Sequence, residues 1–206
     1  MLGVLLPALR VALVTWVLCG IAYPLAVTGL GQWLLTFQSN GSLEKAADGT
    51  ILGSRLIGQE WTGAEWFHGR NSAISNPDPN DPTKTIPAPY DAANSGGSNL
   101  GPTSKRLAER LSADRAALEN SQPELAGRSL PADMLTASAS GLDPDISPTD
   151  ARLQTVRVAT ARGVSVAQIN ALLEQHITGR SLGLFGEPRV NVLALNLALQ
   201  HAYPKP

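Results

Sequence analysis

Between Arg10 and Glu44 the chain carries no charged side chain. No other feature restricts the fold as strongly, because an uncharged run of that length must be covered by apolar surroundings along most of its extent. An α-helix rises 1.5 Å per residue, so roughly 20 apolar residues cross a hydrocarbon core of about 30 Å. Val11 to about Leu35 exceeds that length and predicts a single tilted membrane-spanning helix, with an anchor over residues 1–37. Arg10 then lies at one interface, where its stem snorkels; at the bilayer centre it would cost about 2.5–3.5 kcal/mol. Trp33 falls at the opposite interface, and Trp16 and Pro24 mark the span between them. Pro24, Gly29 and Gly31 would end a helix in water, but in lipid such residues mark a kink or a close packing face.

Three other readings compete with the anchor. A cleaved signal peptide has an apolar core of about 7–15 residues and a small-residue cleavage site, and this run is longer. A lipoprotein signal wants small residues before its cysteine, whereas Trp16-Val17-Leu18 precede Cys19. A buried core helix without charges over this length is unusual in a chain of 206 residues. The anchor fits best. The terminal amine and Arg10 flank one end, while Lys45 at the other is offset by Glu44 and Asp48. The positive-inside rule therefore favours a cytoplasmic N-terminus and an extracytoplasmic domain over residues 38–206. With no ionisable group in its interior, the span reads as an anchor or assembly helix rather than an ion pathway.

Averaged composition hides this division. Lys and Arg total 16 against 17 Asp and Glu, a net charge of −1, and mean hydropathy is −0.02. The balance argues against nucleic-acid binding through a general basic surface. One cysteine excludes an intramolecular disulfide and a thiolate-rich zinc site, and Cys19 lies in the anchor, leaving the domain without a thiol.

The remainder reads as α+β, a single mixed domain with short strands and C-terminal helices. Asn40-Gly41 and Asp48-Gly49 are hairpin-turn pairs, with Thr50-Ile51-Leu52 and Arg55-Leu56-Ile57 as strand candidates. Trp61, Trp66 and Phe67 read as the aromatic part of a small core. Residues 72–104 hold six of the fifteen prolines (77, 79, 82, 87, 89 and 102) and no periodicity, so they read as one long Pro/Gly/Ser/Asn-rich loop. Ser104 or Thr103 caps a helix bearing Leu107, Leu111 and Leu118. Ser147-Pro148-Thr149-Asp150 starts a second, which runs through Gln154 and Arg157 to stop at Gly163. Ser165 and Gln168 form the capping box of a third, closed by Gly179. Val190-Asn191-Val192 predicts a strand before a last helix of Leu193, Leu195, Leu197 and Leu199.

Catalytic signatures are scarce. The chain has no GxxxxGK[ST], HExxH, EF-hand or GxSxG pattern. His176 fits a core or boundary position, and His201 sits near the terminus. His68 stands in the aromatic cluster beside Arg70. Gly96 to Gly101 suits either a glycine turn or an anion cradle before a helix. Asp143, Asp145 and Asp150 suit a helix N-terminus or, with the wrong spacing, calcium. A triad of Ser98, His68 and Asp91, or a His68/Ser98 pair in a membrane-tethered extracytoplasmic enzyme, is the rival reading.

An ordered set of segments resembles the C subunit of the bacterial Kdp-type potassium-transporting ATPase. It runs through Pro7-Ala8-Leu9, Tyr23-Pro24-Leu25, Gly29 to Trp33, Asn40-Gly41-Ser42-Leu43, Gly53-Ser54 and Leu56-Ile57-Gly58-Gln59. It continues with Trp66-Phe67-His68-Gly69-Arg70, Ser72-Ala73 and Ser95-Gly96-Gly97-Ser98-Asn99-Leu100-Gly101. The most specific run is Thr136 to Asp143 with Ile146-Ser147-Pro148, followed by Arg157-Val158-Ala159, Ala161-Arg162, Gly186 to Val192 and Leu195 to Leu199. The resemblance implies a single-pass inner-membrane accessory subunit with no catalytic residue and no metal. It implies as partners a channel-like potassium-binding subunit, a P-type ATP-hydrolysing subunit and a small single-span subunit. It further implies a catalytic chaperone for high-affinity potassium uptake, binding no cofactor independently and sharing ATP with the hydrolytic partner. Gln154 is the matching nucleotide-binding position. His68, Arg70, Ser95, Gly96, Gly97 and Ser98 are the partner-contact candidates, and an assembly role for residues 72–104 and the His68/Arg70 region is the accompanying expectation.

Overall fold

The computed structural model describes residues 2–205, except for the side chain of Leu2; the terminal amine invoked for orientation lies outside the described residues. The chain divides into two compact units, Met1–Leu52 and Gly53–Pro206.

In the first unit α1 (Leu2–Val17), a π-helical turn (Leu18–Ala22) and α2 (Tyr23–Leu34) run on from one another. From Gly3 to Leu34 the 32-residue helix has a hydropathy of 2.1 in its most apolar window, none of it buried. This is one helix long and apolar enough to cross a membrane. It starts earlier than residue 11, so Arg10 lies within the helix rather than at its start. The π turn has a local cause. Pro24 has no N–H for the carbonyl of Gly20 and its ring crowds that turn, so the helix widens just before it, with Tyr23 N–H donating to the Leu18 carbonyl. The far end is closed by polar groups. Thr36 Oγ1 donates to the Gln32 carbonyl (2.7 Å), and Asn40 Nδ2 donates to the Thr36 carbonyl (2.7 Å). Asn40-Gly41 thus ends the one-turn helix α3 (Thr36–Ser39) rather than turning a hairpin. The hairpin is the next one: Asp48-Gly49 turns β1 (Leu43–Lys45) into β2 (Ile51–Ser54), with Asp48 Oδ1 accepting from Thr50 N–H at 2.9 Å.

The second unit is mixed helix and strand. Residues 75–87 correct the expectation of a structureless loop: β3 (Ser75–Asp78) pairs antiparallel with β4 (Asp81–Pro87). Pro77, Pro82 and Pro87 obscured it, but a two-stranded ribbon has only edge strands, where a missing N–H can face solvent. Arg55-Leu56-Ile57 is not a strand; Ser54 turns the chain there, its Oγ accepting from Leu56 N–H at 3.1 Å. Then follow α4 (Lys105–Ser121), capped by Ser104, a 3₁₀ turn (Pro123–Leu125) and the single turn α5 (Ala132–Leu135).

The core lies under the C-terminal half. A three-stranded antiparallel sheet has the order β5 (Asp145–Ile146), β7 (Arg189–Asn191), β6 (Ile177–Thr178). Against it pack α6 (Pro148–Arg162), α7 (Val166–Gln175) and α8 (Val192–Ala202), burying Phe67, Val158, Ile169, Leu173, Leu195 and Leu199. Each helix is started by a side-chain cap. Ser147 Oγ accepts from Asp150 N–H (3.0 Å), Ser165 and Gln168 complete their reciprocal box, and Asn191 Oδ1 accepts from Ala194 N–H (3.0 Å). Gly163, at φ +66°, stops α6 in the left-handed conformation. α7 ends at Gln175 rather than at Gly179, because Ile177 and Thr178 leave the helix to pair with Val190 and Arg189. Val192 likewise begins α8 instead of ending β7.

Asn196, fully buried in α8, acts as a substitute strand: its Nδ2 donates to the Phe67 carbonyl (2.9 Å) and its Oδ1 accepts from Phe67 N–H (2.9 Å). Asn196→Ala leaves both backbone groups buried and unpaired, a cost of about 2–4 kcal/mol. The expected outcome is a fall of roughly 5–15 °C in the thermal midpoint of the full chain in detergent; an unchanged midpoint would refute this assignment.

Candidate functional site

Residues 63–70 contain Trp66 and Phe67 of the aromatic cluster, turn at 63–66 and belong to no sheet strand. Their backbone is held by side chains from α6. Gln154, 3 % exposed, accepts from His68 N–H through Oε1 (2.8 Å) and donates through Nε2 to the His68 carbonyl (3.0 Å). Its other capacity is spent within the helix: Nε2 also donates to Asp150 Oδ1 (2.8 Å), and Oε1 also accepts from Arg157 Nη2 (2.6 Å). Arg157 Nη1 donates to the carbonyls of Ala64 (2.8 Å) and Trp66 (2.9 Å). One turn on, Arg162 donates to the Glu65 carbonyl (2.9 Å) and lies 4.4 Å from the Trp66 ring centre, a cation–π contact. Asp150, Gln154 and Arg157 are spaced i, i+4, i+7, which puts them on one helix face. Sequence inspection had no way to see this as one unit, since the partner is a backbone some ninety residues away.

Electrostatics follow from burial. The Asp150 carboxyl, 1 % exposed, is pushed up to about 7 by desolvation, against the lowering effect of its bond from Gln154. Asp133 raises it further, while Arg157 and Arg70 oppose. Burial, then the charge of Arg157, lowers the His68 pKa, so its ring is neutral near pH 7, with Nε2–H donating to the Gly63 carbonyl at 2.8 Å.

Beside this clamp opens a cleft of about 450 Å³, lined by Trp61, His68, Arg70, Tyr90, Arg110 and Asp114 among others. Arg70 pairs with Asp143 (3.0 Å), and Tyr90 Oη donates to the Arg70 carbonyl (2.5 Å). Burial drives the Tyr90 phenol up to about 12, so it stays a donor. Two buried nitrogens around the cleft, Trp61 Nε1 and Arg70 Nε, have no hydrogen-bond partner among the described residues, while Arg110 Nε faces Asp114 Oδ2 at 3.6 Å. A smaller cavity of about 90 Å³ touches Asp150, Gln154 and the buried, unpartnered Gln122 Oε1.

The other sequence candidates lie apart from Gln154. Ser95 Oγ and Gly96 N–H both donate to the Ser140 carbonyl (3.1 and 2.9 Å), and Gly97 lies so close to the Ala139 backbone that a Cβ would come within 2.6 Å of its carbonyl oxygen. Gly141, at φ +71°, has no room for a Cβ either, since one would strike Ile74. Glycines 97 and 141 therefore serve a close approach of two loops, whereas Gly96 has open space where a Cβ would stand. Ser98 is half-buried nearby. Among the described residues no hydrogen bond joins Ser98, His68 and Asp91; Asp91 instead accepts from Asn76 (2.6 Å). His68 and Arg70 do share one cleft. Tyr90 and Arg157, which hold it together, were missed as site residues; the aromatic at the end of a proline-rich run and the i, i+3 spacing of Gln154 and Arg157 were the available signals. Asp143 pairs with Arg70, Asp145 with Arg189 (3.1 Å), and the Asp150 carboxyl accepts from Gln154, so the three acids face different partners. Trp33, Trp16 and Pro24 remain on the exposed apolar helix with Arg10.

A buried acid with a raised pKa has a defined signature. Below about pH 4 both folded and unfolded chains hold the proton. Between about 4 and 7 only the unfolded chain releases it, so stability falls with rising pH and levels off above 7, for a total of about 4 kcal/mol. Asp150→Asn keeps the acceptor for Gln154 but cannot ionise. Thermal midpoints of full chain and variant should coincide near pH 4, with the variant higher by roughly 10 °C at pH 8; parallel profiles would refute the assignment.

Comparison with known proteins places this geometry in a family. The sequence model of the KdpC family, described as the c chain of the K⁺-transporting ATPase, matches residues 5–201. The chain is 54 % identical over 205 residues to a potassium-transporting ATPase KdpC subunit of Bradyrhizobium diazoefficiens, covering 100 % of both. It is 53 % identical to the KdpC subunit of Methylobacterium nodulans and 55 % to that of Rhodopseudomonas palustris, in each case over 199 residues and 97 % of both chains.

Proposed function

This chain belongs to the KdpC family, the c chain of the K⁺-transporting ATPase, and we propose that within that complex it is a non-catalytic subunit whose outer domain clamps its neighbours together. Membership makes it an accessory part of a potassium uptake complex. The observation that carries the assembly reading is the division of labour inside the domain. Gln154 spends all four hydrogen-bonding positions of its carboxamide on its own fold. The cleft with His68 and Arg70 has two buried donors at its wall, Trp61 Nε1 and Arg70 Nε, without a hydrogen-bond partner among the described residues, as Arg157 Nε and Arg162 Nη2 of the clamp also are. Such donors are paid for by a bound segment or by water, and a partner's backbone carbonyls would satisfy them.

In this proposal the apolar helix crosses the inner membrane once with its N-terminus in the cytoplasm. The domain lies outside, against a channel-like potassium-binding subunit; a P-type subunit hydrolyses ATP, and a small single-span subunit completes the complex. Ser95 to Ser98 and the β3–β4 ribbon extend the docking surface. By family resemblance the chain also raises the ATP affinity of the hydrolytic subunit, and Gln154 is the position that direct nucleotide contact would use if the domain faced the cytoplasm. An outer domain would exert that effect through its partners, without reaching cytoplasmic ATP itself.

Gln154→Ala in the purified complex separates the two roles. A structural clamp predicts loss of about 2–4 kcal/mol of domain stability with the KM for ATP unchanged in the complexes that survive; a raised KM at an unchanged thermal midpoint would establish nucleotide contact instead. Replacing residues 77–86 with a Gly-Ser turn spares Tyr90 and should lower co-purification of the other subunits several-fold; full retention would argue against docking there. Orientation is read by a membrane-impermeant maleimide on Ser121→Cys in a Cys19→Ser background, since the native domain has no thiol. Labelling of intact cells is expected, and labelling only after lysis would reverse the topology.

A further inference from the structure

The connection between β6 and β7 bears the most exposed large apolar side chains of the second unit: Leu182 at 88 %, Leu184 at 74 % and Phe185 at 66 %. It is built as a rigid tip. Ser181 and Phe185 exchange backbone hydrogen bonds (2.8 and 2.9 Å), Gly183 N–H donates to the Arg180 carbonyl (3.1 Å), and an Arg180–Glu187 ion pair at 2.6 Å closes the base. Leu182 has φ +54°, a left-handed conformation that a leucine adopts at an energetic cost. Strain and exposure together are unfavourable for the isolated chain, and neither is needed to join two adjacent strands, which a short polar turn would do. We propose that the tip at residues 181–186 is a docking knob that seats in an apolar pocket on another subunit of the K⁺-transporting ATPase complex.

The occupant follows from chemistry and size. Loops that enter a bilayer interface carry Trp or Tyr at the boundary or a surplus of Lys and Arg. This tip reads Ser-Leu-Gly-Leu-Phe-Gly, and Arg180 is neutralised by Glu187. A second copy is disfavoured by area, because a stable interface buries about 800 Å² per partner and three side chains on so short a tip expose much less. A preformed, narrow apolar projection loses little freedom on binding and suits a pocket. As the c chain of a multi-subunit ATPase, the protein has such neighbours. The inference rests on the accessory-subunit reading and adds a second contact to the cleft.

The test uses the full chain co-expressed with the other Kdp subunits and purified in detergent through a tag on this chain. The double variant Leu182→Ser, Phe185→Ser should reduce co-eluting subunits by about tenfold while leaving the thermal midpoint of the chain itself unchanged. Leu56→Ser, an exposed apolar residue elsewhere, should leave co-elution intact. A photo-crosslinking amino acid at position 185 should give an adduct with a peptide of another subunit. Undiminished co-elution, or adducts only with lipid or with a second copy, would overturn the proposal. If replacing residues 77–86 dissociates the complex and the tip variants do not, the tip fails while the accessory reading stands; if neither does, both fail.

Discussion

The polar stripe of α6 is the interaction on which the second unit depends. Gln154, Arg157 and Arg162 all turn toward a segment that has no strand partner and hold it by its backbone, with Asp150 accepting from Gln154 behind them. Buried backbone groups must be paired, and a sheet is the usual means. Here one helix and one residue of another, Asn196 of α8, do the pairing instead. That choice places Phe67 in the core and leaves His68 and Arg70 facing the cleft on the neighbouring positions. The arrangement is tightly determined, because Gln154 has neither a free donor nor a free acceptor, so no single bond moves without disturbing the others.

The same logic of borrowed pairing explains the long connection that follows. Its prolines confine it to a two-stranded ribbon and then to irregular chain, which would be loose without side chains to tie it down. Tyr90 fastens it to the Arg70 carbonyl, Asn94 Nδ2 to the Ser75 carbonyl (3.2 Å), and Ser95 and Gly96 to Ser140. Small residues in both loops make this last contact feasible. The serine- and glycine-rich runs that look functional in the sequence are therefore, in the fold, the two halves of one tight crossing.

The two units divide the work by physics. The first holds a long apolar helix whose one charged side chain is Arg10, and the second holds nearly all the charge. Membership in the KdpC family gives the chain its setting as an accessory subunit of a K⁺-transporting ATPase complex. Within the second unit, the closed clamp is what makes the open features stand out: the cleft with its unpartnered donors and the apolar tip between β6 and β7.

Much of the local structure was legible in advance because its causes are local. Ser147-Pro148, the Ser165–Gln168 box and Gly163 each act on their own backbone, and the long apolar helix follows from the scarcity of charge alone. The errors came where a distant partner decides. Ile177 and Thr178 left their helix for β7, and residues 75–87 formed a ribbon despite four prolines. The site was only half visible. Gln154, His68 and Arg70 were identified, but a hydrogen bond from α6 to the backbone of residue 68 leaves no periodicity to read. The sequence by itself determined the long apolar helix, the capped helices and the family. Tertiary structure alone decided that Gln154 is a clamp, that Arg70 and His68 share a cleft and that Leu182 and Phe185 stand in water, because pairing and exposure depend on what lies across space.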